Sequence, residues 1–247
     1  MDVSGKVALV TGGADGLGKA FIEELLKKNI KAVGFLDIQQ AKGEATLKQL
    51  SDLYGKDKVH FIQCDVTDKT RLEGAFSDVR DRFGRLDIVC NNAGIANEEE
   101  WQKMIEINLT AVTHGTFLAI KHMSKENGGS GGVIINTGSL AGVKTFSHIP
   151  VYAATKHGVV ALSRSLAANP KVTAEHIRIN AICPTSVDTV LQRNGKTFGP
   201  KPTDFRYIPI SLVAEAFMKL VEEDRTGQAM LITNNGKISV HEFEEVK

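Results

Sequence analysis

Residues Thr11-Gly12-Gly13-Ala14-Asp15-Gly16-Leu17-Gly18 decide the fold. They follow an apolar stretch at residues 6–10 and open an amphipathic one at residues 18–28. Strand, glycine turn and helix in that order let backbone amides approach a pyrophosphate whose charge the helix amino terminus stabilises. A glycine-rich turn alone is weak evidence, but this placement makes Gly12, Asp15, Gly16, Leu17 and Gly18 candidates for binding a dinucleotide.

Working outward, short apolar runs recur at residues 31–36, 59–64, 86–90, 133–136, 177–182 and 229–233. Most are continuous rather than alternating, as expected for parallel strands covered on both faces. Helical patterns lie between them, for example at residues 70–83 and 151–168. Alternating strands and helices predict an α/β protein, a single-domain Rossmann fold over residues 1–247. Its core is a doubly wound, seven-stranded parallel sheet flanked by helices. Residues 187–210 hold three of the six prolines and little periodicity, which marks either a substrate loop over the site or a plain surface loop.

Composition narrows the function classes. The chain is 42% hydrophobic and 24% charged, with a formal net charge of +1 and scattered basic residues, so no nucleic-acid or membrane partner is expected. No signal peptide or membrane-spanning run is read, and Cys64, Cys90 and Cys183 are expected as buried free thiols. These features predict a reducing, cytoplasmic location. No cysteine or histidine spacing suggests a metal.

Asp37 closes the second strand about 20 residues beyond the last glycine, where a carboxylate accepts from ribose hydroxyls and repels a 2′-phosphate. With Asp15 also acidic and no base inside the glycine loop, NAD is preferred over NADP. Asp65, flanked by Cys64 and Val66, either accepts from an adenine amino group or caps a turn. Asn91-Asn92-Ala93-Gly94 ends the fourth strand, and buried amides there need partners in neighbouring turns, in the cofactor, or in both.

Thr11-Gly12-x-x-x-Gly16-x-Gly18, Asn91-Asn92-Ala93-Gly94, Ser139 and Tyr152-x-x-x-Lys156 together resemble the short-chain dehydrogenase/reductase family along essentially the whole chain. The resemblance implies a catalytic set of Asn108, Ser139, Tyr152 and Lys156. Tyr152 and Lys156, four apart on a helix, face the same way. A nearby ammonium and a nicotinamide cation are expected to lower the phenol by about two to three units from its usual value near 10, making it a base. The resemblance assigns Ser139 to the substrate oxygen, Lys156 to the nicotinamide ribose as well, and Asn108 to a water beside the lysine. Read without the family, Asn108 is a core asparagine.

Pro184-Thr185-Ser186-Val187-Asp188-Thr189 resembles the family loop after the sixth strand, so Pro184, Val187 and Thr189 join Asn92, Ala93 and Gly94 as cofactor candidates. Thr185 stands where the family usually has glycine, which puts the local backbone in question. Phe146, His148 and Ile149 are candidate substrate walls beside Ser139 and Tyr152, although His148 also reads as an exposed loop residue.

Two branches of the family look most similar: the NAD-dependent 15-hydroxyprostaglandin dehydrogenases and the insect-type short-chain alcohol dehydrogenases. Both imply oxidation of a secondary alcohol to a ketone, on a prostaglandin-like lipid in one case and on small aliphatic or terpenoid alcohols in the other. Family members usually form dimers or tetramers. The rival readings are an NADPH-dependent reductase and a catalytically silent nucleotide-binding regulator.

Overall fold

Alternate side chains of the first strand, β1 (Val7–Thr11), enter two different cores. Val7 and Leu9 point to one face of the sheet, Ala8 and Val10 to the other, and all four are fully buried. This computed structural model describes residues 1–189, 191 and 206–244.

The remaining strands are β2 (Ala32–Asp37), β3 (Val59–Gln63), β4 (Ile88–Asn91), β5 (Gly132–Thr137), β6 (Ile177–Pro184), β7 (Ala229–Ile232) and β8 (Ile238–Val240). They form one sheet in the order β3-β2-β1-β4-β5-β6-β7-β8. Every pairing from β3 to β7 is parallel; β8 joins β7 antiparallel. The expected seven parallel strands are thus present, and an eighth, unexpected one is added. Its cause is local: Asn234-Asn235-Gly236 makes a tight turn, with Gly236 at φ 77° and the Thr233 amide donating to Lys237 O at 3.1 Å.

Helices α1 (Gly16–Lys27), α2 (Gln40–Tyr54) and α8 (Ile210–Glu222) cover one face, where Phe21 stacks on Phe217 at 4.4 Å. Helices α3 (Lys69–Phe83) and α5 (Val112–Met123), with the end of α6 (Pro150–Ala167), cover the other. Short helices α4 (Trp101–Ile105) and α7 (Pro170–Ala174) complete the set among the described residues. Cys64, Cys90 and Cys183 are buried and free, as expected. No described helix is long and apolar enough to cross a membrane.

The chain order reverses between β1 and β4, so the connections from these strands leave in opposite directions and open a crevice at their carboxyl ends. A buried amide network braces this region. Asn91 Nδ2 donates to Asn136 Oδ1 at 2.8 Å, and Asn136 Nδ2 donates to Ser163 Oγ at 3.0 Å. Thr116 Oγ1 donates to Val112 O and also reaches Asn136. Strands β4 and β5 are thereby tied to helices α5 and α6.

Of the segment 187–210, residues 190 and 192–205 lie outside the described residues. Its two ends meet in a parallel bridge between Val187 and Ile208, both buried.

Candidate active site

A cavity of about 980 Å³ lies over the carboxyl ends of β1, β2, β4, β5 and β6. Its cofactor-side wall begins at the glycine turn. Asp15 caps α1 by accepting from the Gly16 amide at 2.7 Å. Gly12 has φ 64°, and a Cβ there would stand 3.0 Å from Ala93 Cα, so the turn packs directly on the Asn91–Gly94 stretch. Gly18 does not line the cavity. A Cβ at Gly18 would sit 2.2 Å from Gly12 O, so its role is the close packing of α1 on the turn.

Asp37 reaches the cavity from the end of β2 and is largely buried. Its carboxylate accepts from Ala14 N at 3.1 Å and from Gln39 N at 3.0 Å. A carboxylate offers about four lone-pair sites, so further acceptor capacity faces the cavity. Lys42 of α2 also lines this wall and pairs with Asp15 at 3.3 Å. The sequence reading missed that cation: Asp15 is partly balanced, and discrimination against a 2′-phosphate rests on Asp37. Asp65 lines the cavity beside Cys64 and Val66, and its Oδ1 caps a turn by accepting from Thr67 N and Thr67 Oγ1.

Of the two asparagines expected to need partners, Asn91 finds its own in Thr116 and Asn136, and Asn92 in the glycine turn. Asn92 Nδ2 donates to Thr11 O at 3.1 Å, while Thr11 Oγ1 accepts from the amides of Asn92 and Ala93. Asn92, Ala93 and Gly94 line the cavity, as do Pro184, Val187 and Thr189. Thr185 is not among the described residues with positive φ, and its amide donates to Ile232 O at 2.9 Å. The missing glycine therefore carries no strain there.

At the other end stand Ser139, Tyr152 and Lys156, all on the cavity wall. Ser139 follows β5 and accepts from Ala141 N at 3.1 Å; its side chain also hydrogen-bonds Tyr152. Lys156 is buried, donates to Thr137 O at 2.8 Å and lies 5.7 Å from the Tyr152 ring centroid. Burial pushes the Tyr152 phenol up to about 12 and the Lys156 ammonium down to about 8. The expected lowering of the phenol is therefore not a property of the chain alone. Both groups are desolvated, and the Ser139 hydrogen bond offsets only part of that cost for the phenolate.

Asn108 stands just behind this wall, with its Oδ1 3.1 Å from where a Cβ at Gly94 would be. It lies in a π-helical stretch, Glu106–Ala111, is fully buried and does not line the cavity. Its Oδ1 accepts from Ile95 N at 2.9 Å and its Nδ2 donates to Ile95 O at 2.8 Å. The side-chain amide holds the turn after β4.

Phe146, His148 and Ile149 line the substrate end with Ile95, Ala96 and Leu140. Ile149 is buried, whereas His148 is exposed and meets Phe146 edge-on at 6.1 Å. Among the described residues, no group of three His, Cys, Asp or Glu is arranged to hold a metal ion.

Comparison with known proteins follows the same lines. The short chain dehydrogenase family profile matches residues 6–198. The chain belongs to the short-chain dehydrogenase family. It is 41% identical to the 15-hydroxyprostaglandin dehydrogenase [NAD(+)] of Bos taurus, over 99% of this chain and 97% of that one. It is 36% identical to the (-)-trans-carveol dehydrogenase of Rhodococcus erythropolis, over 79% of this chain and 76% of that one. Among solved structures, levodione reductase superposes with a TM-score of 0.82 at 28% identity, over 93% of this chain and 96% of that one.

Proposed function

We propose that this short-chain dehydrogenase oxidises a secondary alcohol of a lipophilic, prostaglandin-like substrate to the ketone, with NAD as the oxidant. The observation that carries this reading is the joining, in one cavity, of Asp37 at one end with Ser139, Tyr152 and Lys156 at the other. Asp37 suits the free ribose hydroxyls of NAD and opposes a 2′-phosphate. When bound, NAD supplies the hydride acceptor and a positive charge beside the phenol. Ser139 Oγ orients the substrate oxygen, and Tyr152 Oη takes the hydroxyl proton as general base. Lys156, fixed by the Thr137 carbonyl, holds positive charge near the ring, and in this reading it also hydrogen-bonds the ribose of the cofactor.

The apolar wall of Ile95, Leu140, Phe146 and Ile149 suits a lipid-like alcohol. The 41% identity to a 15-hydroxyprostaglandin dehydrogenase along nearly the full length favours that substrate class. The carveol dehydrogenase relative keeps a terpenoid or small aliphatic alcohol as the second reading. Three buried free thiols suit a reducing, cytoplasmic compartment. Exposed Trp101 and Phe117, on α4 and α5, suit self-association into a dimer or tetramer through the helices around Asn108 and Tyr152.

The test is NADH formation by purified protein with prostaglandin E2, farnesol, short aliphatic secondary alcohols and a hydroxysteroid, each with NAD and with NADP. Turnover with NAD that is lost in Tyr152→Phe supports the reading, and the best alcohol selects between the two branches. NAD binding without turnover on every alcohol would defeat it.

A further inference from the structure

Helix α6 carries Tyr152, yet nothing in its own sequence caps its amino terminus. Ile149 at the cap position offers no side-chain acceptor, Pro150 has no amide hydrogen, and the first turn holds no acidic residue. The first free amides, those of Val151 and Tyr152 itself, are taken instead by Glu98. Its Oε2 accepts from Val151 N at 3.1 Å and its Oε1 from Tyr152 N at 2.9 Å, across 53 and 54 residues of chain. The carboxylate is half-buried and sits at the positive end of an 18-residue helix, where a negative charge is favoured.

We infer that Glu98 is a positioning residue for the catalytic phenol: its carboxylate holds the first turn of α6 so that Tyr152 Oη stays in register with Ser139. The segment that supplies Glu98 also supplies a cavity wall. Its neighbours Asn97 and Glu100 line the substrate end and are joined by an Asn97 Nδ2 to Glu100 Oε2 bond of 2.9 Å. Glu98 thus links the substrate wall to the helix of the base, while Asp37 and the glycine turn, on the far side of the cavity, are untouched. The inference rests on Tyr152 being the base.

The test measures kcat, the KM for alcohol, the Kd for NADH and Tm in Glu98→Ala, Glu98→Gln and Glu99→Ala, with Tyr152→Phe alongside. Glu98→Ala is expected to lose on the order of tenfold to a hundredfold in kcat, because small misplacements of a reacting group are costly. Its Kd for NADH should stay within about twofold, the scale of an effect well below one RT ln 10 step. Glu98→Gln keeps one acceptor oxygen, so it should fall between Glu98→Ala and wild type. It carries the test alone if the alanine variant does not fold. Glu99→Ala removes an exposed charge next door and should leave kcat unchanged.

A Glu98 variant with a lowered Tm but wild-type kcat would overturn the inference, reducing Glu98 to a stability cap. So would an equal loss in Glu99→Ala, which would mark a general charge effect. Full turnover by Tyr152→Phe would overturn the assignment of the base and this inference with it. An inert Tyr152→Phe beside an unimpaired Glu98→Ala overturns the inference alone.

Discussion

Lys156 donates to the Thr137 carbonyl at 2.8 Å while its ammonium lies 5.7 Å from the centre of the Tyr152 ring. In the chain alone burial holds the phenol at about 12 and the ammonium at about 8, so the phenol becomes a base only with the positive charge of bound NAD beside it. Alcohol oxidation should accelerate with pH, by up to about tenfold per unit, until the Tyr152 phenol of the NAD-bound enzyme is ionised. Tyr152→Phe should lower kcat/KM by about 10²–10⁴-fold, the usual size of general acid–base catalysis. A pH–rate profile flat from acid to alkali would sink this account.

Stability should follow the same groups with a sign that can be worked out. Lys156 has a lowered value in the folded chain, so its contribution is fully present above its unfolded value of 10.5 and is lost as pH falls through about 8. Cys64 and Cys183 are raised by burial from 9.0, to about 11 and about 12, so their contributions are present below 9 and lost above it. Between pH 8 and 9 the rise from the lysine is opposed as the three thiols, Cys90 being raised by burial as well, begin to ionise in the unfolded chain, so stability should stay nearly level there and fall above pH 9. Thermal melts of the cofactor-free protein check this. Lys156→Met should turn that plateau into a fall and, by removing a desolvated charge, raise Tm at neutral pH while ending turnover.

Cofactor choice should be carried by Asp37. Asp37→Ala removes a charged acceptor and leaves Ala14 N and Gln39 N without their partner. NAD affinity should weaken by about 1.5–3 kcal/mol, the range for hydrogen bonds to charged groups. NADP affinity should improve, because the repulsive carboxylate is gone while Lys42 remains on the same wall. Fluorescence titration with both cofactors decides it; an unchanged NAD/NADP ratio would remove Asp37 from the specificity argument.

The buried amide network makes a stability prediction away from the chemistry. Asn136→Ala strips partners from Asn91, Ser163 and Thr116 at once. Leaving buried polar groups unsatisfied costs about 1–3 kcal/mol. Tm should fall by roughly 2–4 °C for each of those kcal/mol in a chain of this size. Asn136→Asp would keep one acceptor and separate lost hydrogen bonding from lost volume.

How much of this was legible follows from sequence separation. The glycine turn, Asp37 and the asparagine run are local patterns, each set by one strand end and legible in residue order, and all three reach the cavity wall. Ser139 and the Tyr152–Lys156 pair come from the family resemblance, and the structure brings them to the same cavity. The Lys42–Asp15 pair, the Asn91–Asn136 bond and the Glu98 cap join residues 27, 45 and 53–54 apart, and no periodicity announces such contacts. For Asn108 the residues alone point to a core asparagine and the resemblance to a catalytic one, and the π-helical stretch that turns its side-chain amide towards Ile95 is not visible in either. The eighth strand could have been found: Asn235-Gly236 between two apolar stretches is a strong hairpin signal.

That hairpin also guards one margin of the sheet. Strand β8 satisfies the outer edge of β7, whose Met230, Leu231 and Ile232 would otherwise present unpaired backbone groups on an apolar strand. Such edges recruit strands from other molecules. Only the five residues between Ile232 and Ile238 tie the guarding strand to the one it guards, so a single break there would bare an adhesive margin on an otherwise intact sheet.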